Sequence, residues 1–416
     1  MDVGLRWHLK ACTEIFRSNW LEAERNARES LANTLECGTP IPTALAKLAL
    51  GHALIGLGKY AEAEEHFRWT QQLARDINSH FFGHHSIVGL AFSALKKEEE
   101  NDAADLIRSA LVLGREQRYF TFQPWQPQTA ARLCAFALSK GIETNYVRQF
   151  IRKRGLLPIS IVEINWPWPI KLYTLGRFAI ELDDIPITFG RKTPKKDLAL
   201  LKLLVAANHK GLSEAKLKDE LSPDADGDRA SNNLKQSLHR LRELLKDNDA
   251  VINNDGTIAL NRQKIWVDVW AFDAFCENRE TGASDIGGLT ERGQQLLLLY
   301  PGNFLTEESD LPFLVGERER LRGMFFEQIS FIARDLEQAN KYSDALTLFQ
   351  KAIEVDSHFE GFYQGLMRCH LKLNRFADGI ATYERLRRVL LSHWKSEPSM
   401  ASKKLFDALH QATLSD

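Results

Sequence analysis

The sequence predicts a mainly α chain in which helical repeats at both ends flank a small α+β domain, and three observations carry that reading. In the first part, Asn19-Trp20-Leu21-Glu22-Ala23 and Lys59-Tyr60-Ala61-Glu62-Ala63 lie 40 residues apart, and Asn101-Asp102-Ala103 follows after a further 40. Short alternating runs suited to strands cluster in the middle, at 170–176, 177–182, 185–189 and 251–260. Near the end, Lys341-Tyr342-Ser343-Asp344-Ala345-Leu346 and Arg375-Phe376-Ala377-Asp378-Gly379-Ile380 repeat the same pattern with a 34-residue offset.

The 40-residue spacing implies two helices per repeat over residues 1–157, with the small Ala at each signal allowing close helix approach. Such arrays present a concave surface to peptides, partner proteins or small effectors. An unknown effector or protein ligand is therefore expected there. Asp76, His80 and His84 are spaced four and four, which would align three metal ligands only on a continuous helix. Asn78-Ser79 predicts a turn at that place, so no metal site is expected. Pro158, Pro167 and Pro169, with Trp166 and Trp168, interrupt the helical pattern and mark 158–169 as a semi-rigid linker. The Trp pair is expected to pack on the first strand.

Residues 170–264 begin with the three strand-like runs and continue with helical stretches. Pro194–Asn208 places Leu198, Leu201 and Val205 on one face, and Ser213 is a natural cap for 213–221. A third helix spans 228–247, where Leu234, Leu238, Leu241 and Leu245 form an apolar stripe at steps of four, three and four. Asp255-Gly256 inside VINNDGTIAL favours a tight hairpin. Strands, three helices and a hairpin describe a winged helix-turn-helix, with the third helix as major-groove reader.

Away from its stripe, that third helix carries Asn232, Asn233, Lys235, Gln236, His239 and Arg240, side chains that hydrogen-bond base edges. Phosphate contacts are expected from Arg191, Lys192, Lys195, Lys196, Lys216 and Arg242. Arg191–Lys218 holds eight Lys/Arg against two acids, and Arg229–Lys246 five against one, within a chain balanced at 54 basic and 55 acidic residues. The basic charge is local, not global. Between these stretches, residues 219–228 hold five carboxylates, which cannot face phosphate without repulsion. Asp224, Asp226 and Asp228 are thus either a plain connector, with Asp228 near the helix cap, or a contact surface for RNA polymerase.

These residues carry a resemblance. Through KLYTLGRFAI, LKDELSPDADGD, LKQSLHRLRELL, WVDVWAFDAF (266–275), YPGNFL (300–305), GERERLR (316–322), EVDSHFEGFYQGLMR (354–368) and SEPS (396–399), the chain from Ile170 to about Gln411 resembles the SARP-type bacterial transcriptional activators. That family joins an OmpR-like winged helix to a helical bacterial transcriptional activation domain, here 265–416. The resemblance implies promoter DNA and RNA polymerase as partners, and a homodimer on direct repeats. Where the family carries Trp ahead of the Pro-Asp of the turn, this chain has Ser222, which should loosen packing of the turn. The C-terminal 34-residue offset is the tetratricopeptide period, with Phe349 and Tyr383 filling the space behind the small residues. The long-pitch N-terminal array looks like the sensor region of STAND-class regulators. Gly56-Leu57-Gly58-Lys59-Tyr60 is only a repeat turn, so a nucleotide switch of that class would lie in sequence not present here.

Catalytic readings find no support: there is no phosphate-binding loop, no G-x-S-x-G and no HExxH. Five cysteines without a CxxC give neither a disulfide framework nor a zinc site, and no cofactor is expected. No apolar run approaches ~18 residues and no charged-then-apolar leader is present, so a cytoplasmic, nucleoid-associated protein without membrane contact is expected. The expectation is a DNA-binding transcriptional regulator, an activator and not an enzyme. The alternative is a repeat scaffold whose winged helix no longer reads DNA.

Overall fold

A computed structural model describes residues 3–190, 194–278, 286–306 and 313–415. The chain divides into two compact units, Met1–Pro167 and Trp168–Asp416.

The first unit is all helical: α1 (Val3–Phe16), α2 (Trp20–Glu36), α3 (Pro40–Gly56), α4 (Tyr60–Asp76), α5 (His80–Lys96), α6 (Glu100–Glu116), α7 (Pro127–Ser139) and α8 (Thr144–Arg154). Left-handed residues recur every twenty positions, at Ser18, Gly38, Gly58, Asn78, Glu98 and Arg118, each reversing the chain between antiparallel helices. This is the physical origin of the 40-residue repeat. Ala23, Ala63 and Ala103, the small residues of the signal, are fully buried. Phe67 fills the space between α3 and α5, where Gly51 and Gly89 leave no room for a side chain: an added Cβ would lie 2.5 and 2.3 Å from the ring. The break between Asp76 and His80 falls at Asn78, and His84 is buried with its Nδ1 3.0 Å from the Ala110 carbonyl oxygen. After α6 the period lapses. The stretch 117–126 leaves the helical path, and its Phe122 stacks on Phe150 of α8 at 4.8 Å between ring centres.

The second unit begins with β1 (Ile170–Tyr173), β2 (Ala179–Leu182) and β3 (Ile185–Pro186), then α9 (Lys195–Ala206), β4 (Leu212–Ser213), α10 (Glu214–Leu221) and α11 (Gly227–Leu245). The hairpin β5 (Val251–Asn254) and β6 (Thr257–Leu260) follows, then β7 (Ile265–Val267) and α12 (Asp268–Glu277). Beyond them lie α13 (Ile286–Leu299), α14 (Phe313–Gln338), α15 (Tyr342–Val355), α16 (Glu360–Lys372), α17 (Phe376–Trp394) and α18 (Met400–Ser415). One sheet has the order β3-β2-β1-β7, with β7 parallel to β1, and the other the order β4-β6-β5.

Neither β4 nor β7 was expected from the sequence, because two- and three-residue strands carry too little periodicity to register. The third predicted run, 185–189, contributes only its first two residues to a strand. Within this unit the platform is tied to α12 by Asp268. Its buried carboxylate accepts from the Thr174 amide at 2.5 Å, the Thr174 hydroxyl at 2.7 Å and the Leu175 amide at 2.7 Å. Burial pushes this carboxyl up to about 6, while the hydrogen bonds pull the other way. The helices from α14 onward stack in sequence, with Phe349 and Tyr383 buried as the repeat reading requires. Trp166, at the end of the first unit, and Trp168, at the start of the second, are both buried. No helix among the described residues is long and apolar enough to cross a membrane.

Candidate nucleic-acid interface

Helix α11 is positioned by a cap, a stripe and a fastener. Asp226 is the cap: its side chain accepts from the Arg229 amide at 2.8 Å, which satisfies a first-turn donor of the helix. Asp228 lies near this cap as expected, exposed in the first turn two residues after it. The buried face is Ala230, Leu234, Ser237, Leu241 and Leu245, packed on α9 and α10. Burying each leucine contributes about 1.5–3 kcal/mol. Leu238, expected in the stripe, is only half-buried, and Ser237 takes the inward position.

Opposite this face, Asn232, Lys235, Gln236, His239 and Arg240 are exposed. Arg229, absent from the sequence-based candidates, joins them. Helical periodicity alone would have placed it, three residues before Asn232 on the same side. Glu243 shares the face and lies 3.5 Å from the His239 ring, both side chains well exposed.

Two candidates have internal partners. Asn233 is half-buried and donates its amide to the Ser222 hydroxyl at 3.4 Å, a polar contact between α11 and the turn that precedes it. Arg242 donates through Nε and Nη2 to the Val251 carbonyl at 3.3 and 2.9 Å, fastening α11 to the first strand of the hairpin. For Arg242 this corrects the expected free phosphate contact: the guanidinium is committed to the backbone of its own domain.

Lys195 and Lys196 are exposed in the first turn of α9, and Lys216 is exposed on α10. Lys196 lines a small cleft shared with Ser222 and Asn233, so the start of α9 and the early part of α11 converge there. Arg191 and Lys192 lie outside the described residues. Asp224 is exposed between α10 and α11.

The hairpin turns through Asp255 and Gly256, both left-handed as the Asp-Gly pair demands. Asn253 holds the turn by accepting from the Gly256 amide at 3.1 Å and donating to Glu214 at 3.1 Å. Gly211 lets β4 approach β6: with φ +63°, a Cβ there would lie 2.5 Å from the Ile258 carbonyl oxygen. Residues 253–257 carry Asp255 and no Lys or Arg, so the hairpin tip presents amides and a carboxylate, not positive charge.

These elements, three helices and a hairpin, are joined to the helices from α12 onward in one compact unit. Residues 267–410, about a third of the chain, match the family described as bacterial transcriptional activator domain. Among solved structures, the chain is similar to Mycobacterium tuberculosis EmbR in complex with a low-affinity phosphopeptide, at 17% identity and TM-score 0.44, covering 60% of this chain and 69% of that one. It is also similar to the apo form of RapI, at 12% identity and TM-score 0.30 (79% and 85% covered), and to the P58(IPK) TPR domain, at 11% and 0.22 (100% and 99%). TM-scores below 0.5 give these likenesses no weight for function. No curated protein matches the chain.

Proposed function

We propose that the chain is a sequence-specific DNA-binding transcriptional regulator, and an activator. Its α11 enters the major groove, its wing reaches the backbone or the minor groove, and its N-terminal repeats receive a signal. The observation that carries the reading is the outward face of α11: Arg229, Asn232, Lys235, Gln236, His239 and Arg240 stand exposed opposite the buried stripe. Bidentate donors and acceptors of this kind match the distinct edge patterns of the major groove. The match of residues 267–410 to the bacterial transcriptional activator domain supports a role in transcription. A homodimer on direct repeats and RNA polymerase are the proposed partners, and the protein acts in the cytoplasm.

Lys195, Lys196 and Lys216 are assigned to phosphates, together with Arg191 and Lys192. Replacing Lys195, Lys196 or Lys216 singly by alanine is expected to weaken binding to all duplexes alike. Each replacement should reduce the magnitude of the slope of log K against log salt by about one. A salt titration by fluorescence anisotropy on random duplex checks this. A loss confined to one DNA sequence would contradict the phosphate role.

The acidic turn is assigned to RNA polymerase. Asparagine caps helices as aspartate does, so the double variant Asp224→Asn, Asp226→Asn should leave α11 intact. Operator affinity is expected to stay equal or rise slightly, since like-charge repulsion near DNA is removed. Transcription on the same template should fall, because a charge-complementary contact is lost. Unchanged transcription would make the loop a connector and move the polymerase contact to the repeats between Phe304 and Leu409.

A second reading, a repeat scaffold with a winged helix that no longer reads DNA, is favoured by the wing tip, where Asp255 stands and cations are lacking. The same titration separates the two, since a scaffold has no steep salt dependence.

A further inference from the structure

In the first unit, α1, α3 and α5 pack side by side, but α7 does not close on α5 in the same way. A groove opens there. One half, of about 400 Å³, lies between α5 and α7, with Phe92 and Phe136 in its walls. The other, of about 630 Å³, runs along Trp125 and Leu157 in the segment after α8. Arg132 and Ile159 line both halves, so the two adjoin. Leu157 and Ile159 are 54% and 47% exposed, leaving apolar surface open along it.

The charges in this groove are unbalanced. Lys96 and Arg132 both line the α5–α7 half, and neither forms an ion pair among the described residues. The Lys96 ammonium is held below its usual value, first by burial and then by the Arg132 charge, so the two cations strain against each other. Arg154, in the other half, lies over the Trp125 ring at 5.0 Å. Glu163 also lines the first half, but it pairs with neither cation, and burial pushes its carboxyl up. Two neighbouring cations beside aromatic walls, set against one carboxyl that pairs with neither, complement an anion that carries a flat apolar body.

We propose that this groove binds a small carboxylic acid with an aromatic or similarly flat apolar body, its carboxylate set between Lys96 and Arg132 and its body against Phe92 and Phe136. The proposal gives the N-terminal repeats' receiving role a ligand class. It rests on the groove alone and stands whether or not α11 reads DNA.

The test uses the full chain without DNA and a matched pair of probes, naphthalene-1-acetate and the neutral naphthalene-1-acetamide, titrated by calorimetry. The acid is expected to bind at least about tenfold more tightly than the amide. The double variant Lys96→Gln, Arg132→Gln should remove that difference while keeping amide binding and the thermal midpoint. Both side chains are exposed, so the variant retains the fold. Equal affinity for acid and amide, no measurable binding of the acid, or an unchanged preference in the double variant would each overturn the proposal.

Discussion

Alanine at Asn232, Gln236 and Arg240 together is expected to abolish sequence preference while leaving a salt-sensitive affinity for any duplex. Each side chain is exposed on α11 opposite the stripe that seats the helix, so truncation removes nothing from the core. A good base contact supplies about 1–3 kcal/mol of discrimination. Three lost contacts therefore amount to about 3–9 kcal/mol, comparable with the whole gap of about 4–10 kcal/mol between specific and non-specific binding. The lysines on α9 and α10 remain to hold phosphate. Anisotropy on a selected operator and on random duplex, with circular dichroism to verify the fold, measures both effects. Wild-type preference in the triple variant would remove α11 from the role of reader.

The second large effect concerns acid. His52, His84 and His85 are buried in the first unit; His85 accepts from the Gln123 amide at 3.3 Å, and the His84 and His85 rings lie 4.8 Å apart. Burial holds His52 and His84 down to about 4 and His85 to about 2, with neighbouring imidazoles adding to the depression of His85. Unfolded histidine titrates near 6.5, so the unfolded chain binds protons first as pH falls. The stabilisation from neutral, buried imidazole is thus present above about pH 6.5 and lost on the way down to about pH 4 for His52 and His84 and to about pH 2 for His85. Near pH 5 the linkage is ~2 kcal/mol per histidine, or ~6 kcal/mol for the three, against a typical total of about 5–15 kcal/mol. Hydrogen exchange across α3–α6 should report a large loss of protection between pH 7 and pH 5. Protection that does not change with pH would mean these rings are hydrated in solution.

Much of this architecture is legible in the sequence because it is local. The Asp255-Gly256 turn, the Ser213 cap on α10 and the buried alanines of the 40-residue repeat each follow from chemistry within a few positions. What escapes is contact between distant residues. The three residues of β7 become a strand only through parallel pairing with β1, nearly a hundred positions earlier, and so read as the start of the next domain. Arg242 has the composition of a phosphate ligand, yet the nearby Val251 carbonyl holds it, a fact set by how the hairpin folds back on α11. Ser237 faces inward and Leu238 toward the edge because α9 and α10 together fix which side of α11 is covered. In the first unit the aromatic stretch after α6 ends the regular spacing, so the opening between α5 and α7 has no periodic signature. Its two cations lie 36 positions apart, at Lys96 and Arg132.

The central claim is that α11 reads base edges, and selection of bound duplexes from a random pool tests it most directly, performed in parallel with the full chain and with Arg240→Ala. The account predicts that the wild-type chain enriches a defined motif, arranged as a direct repeat if two copies bind together. The alanine variant should enrich the same motif with preference relaxed at one base pair per half-site. A pool that shows no enrichment with the wild-type chain, or a motif identical at every position in both selections, would contradict it.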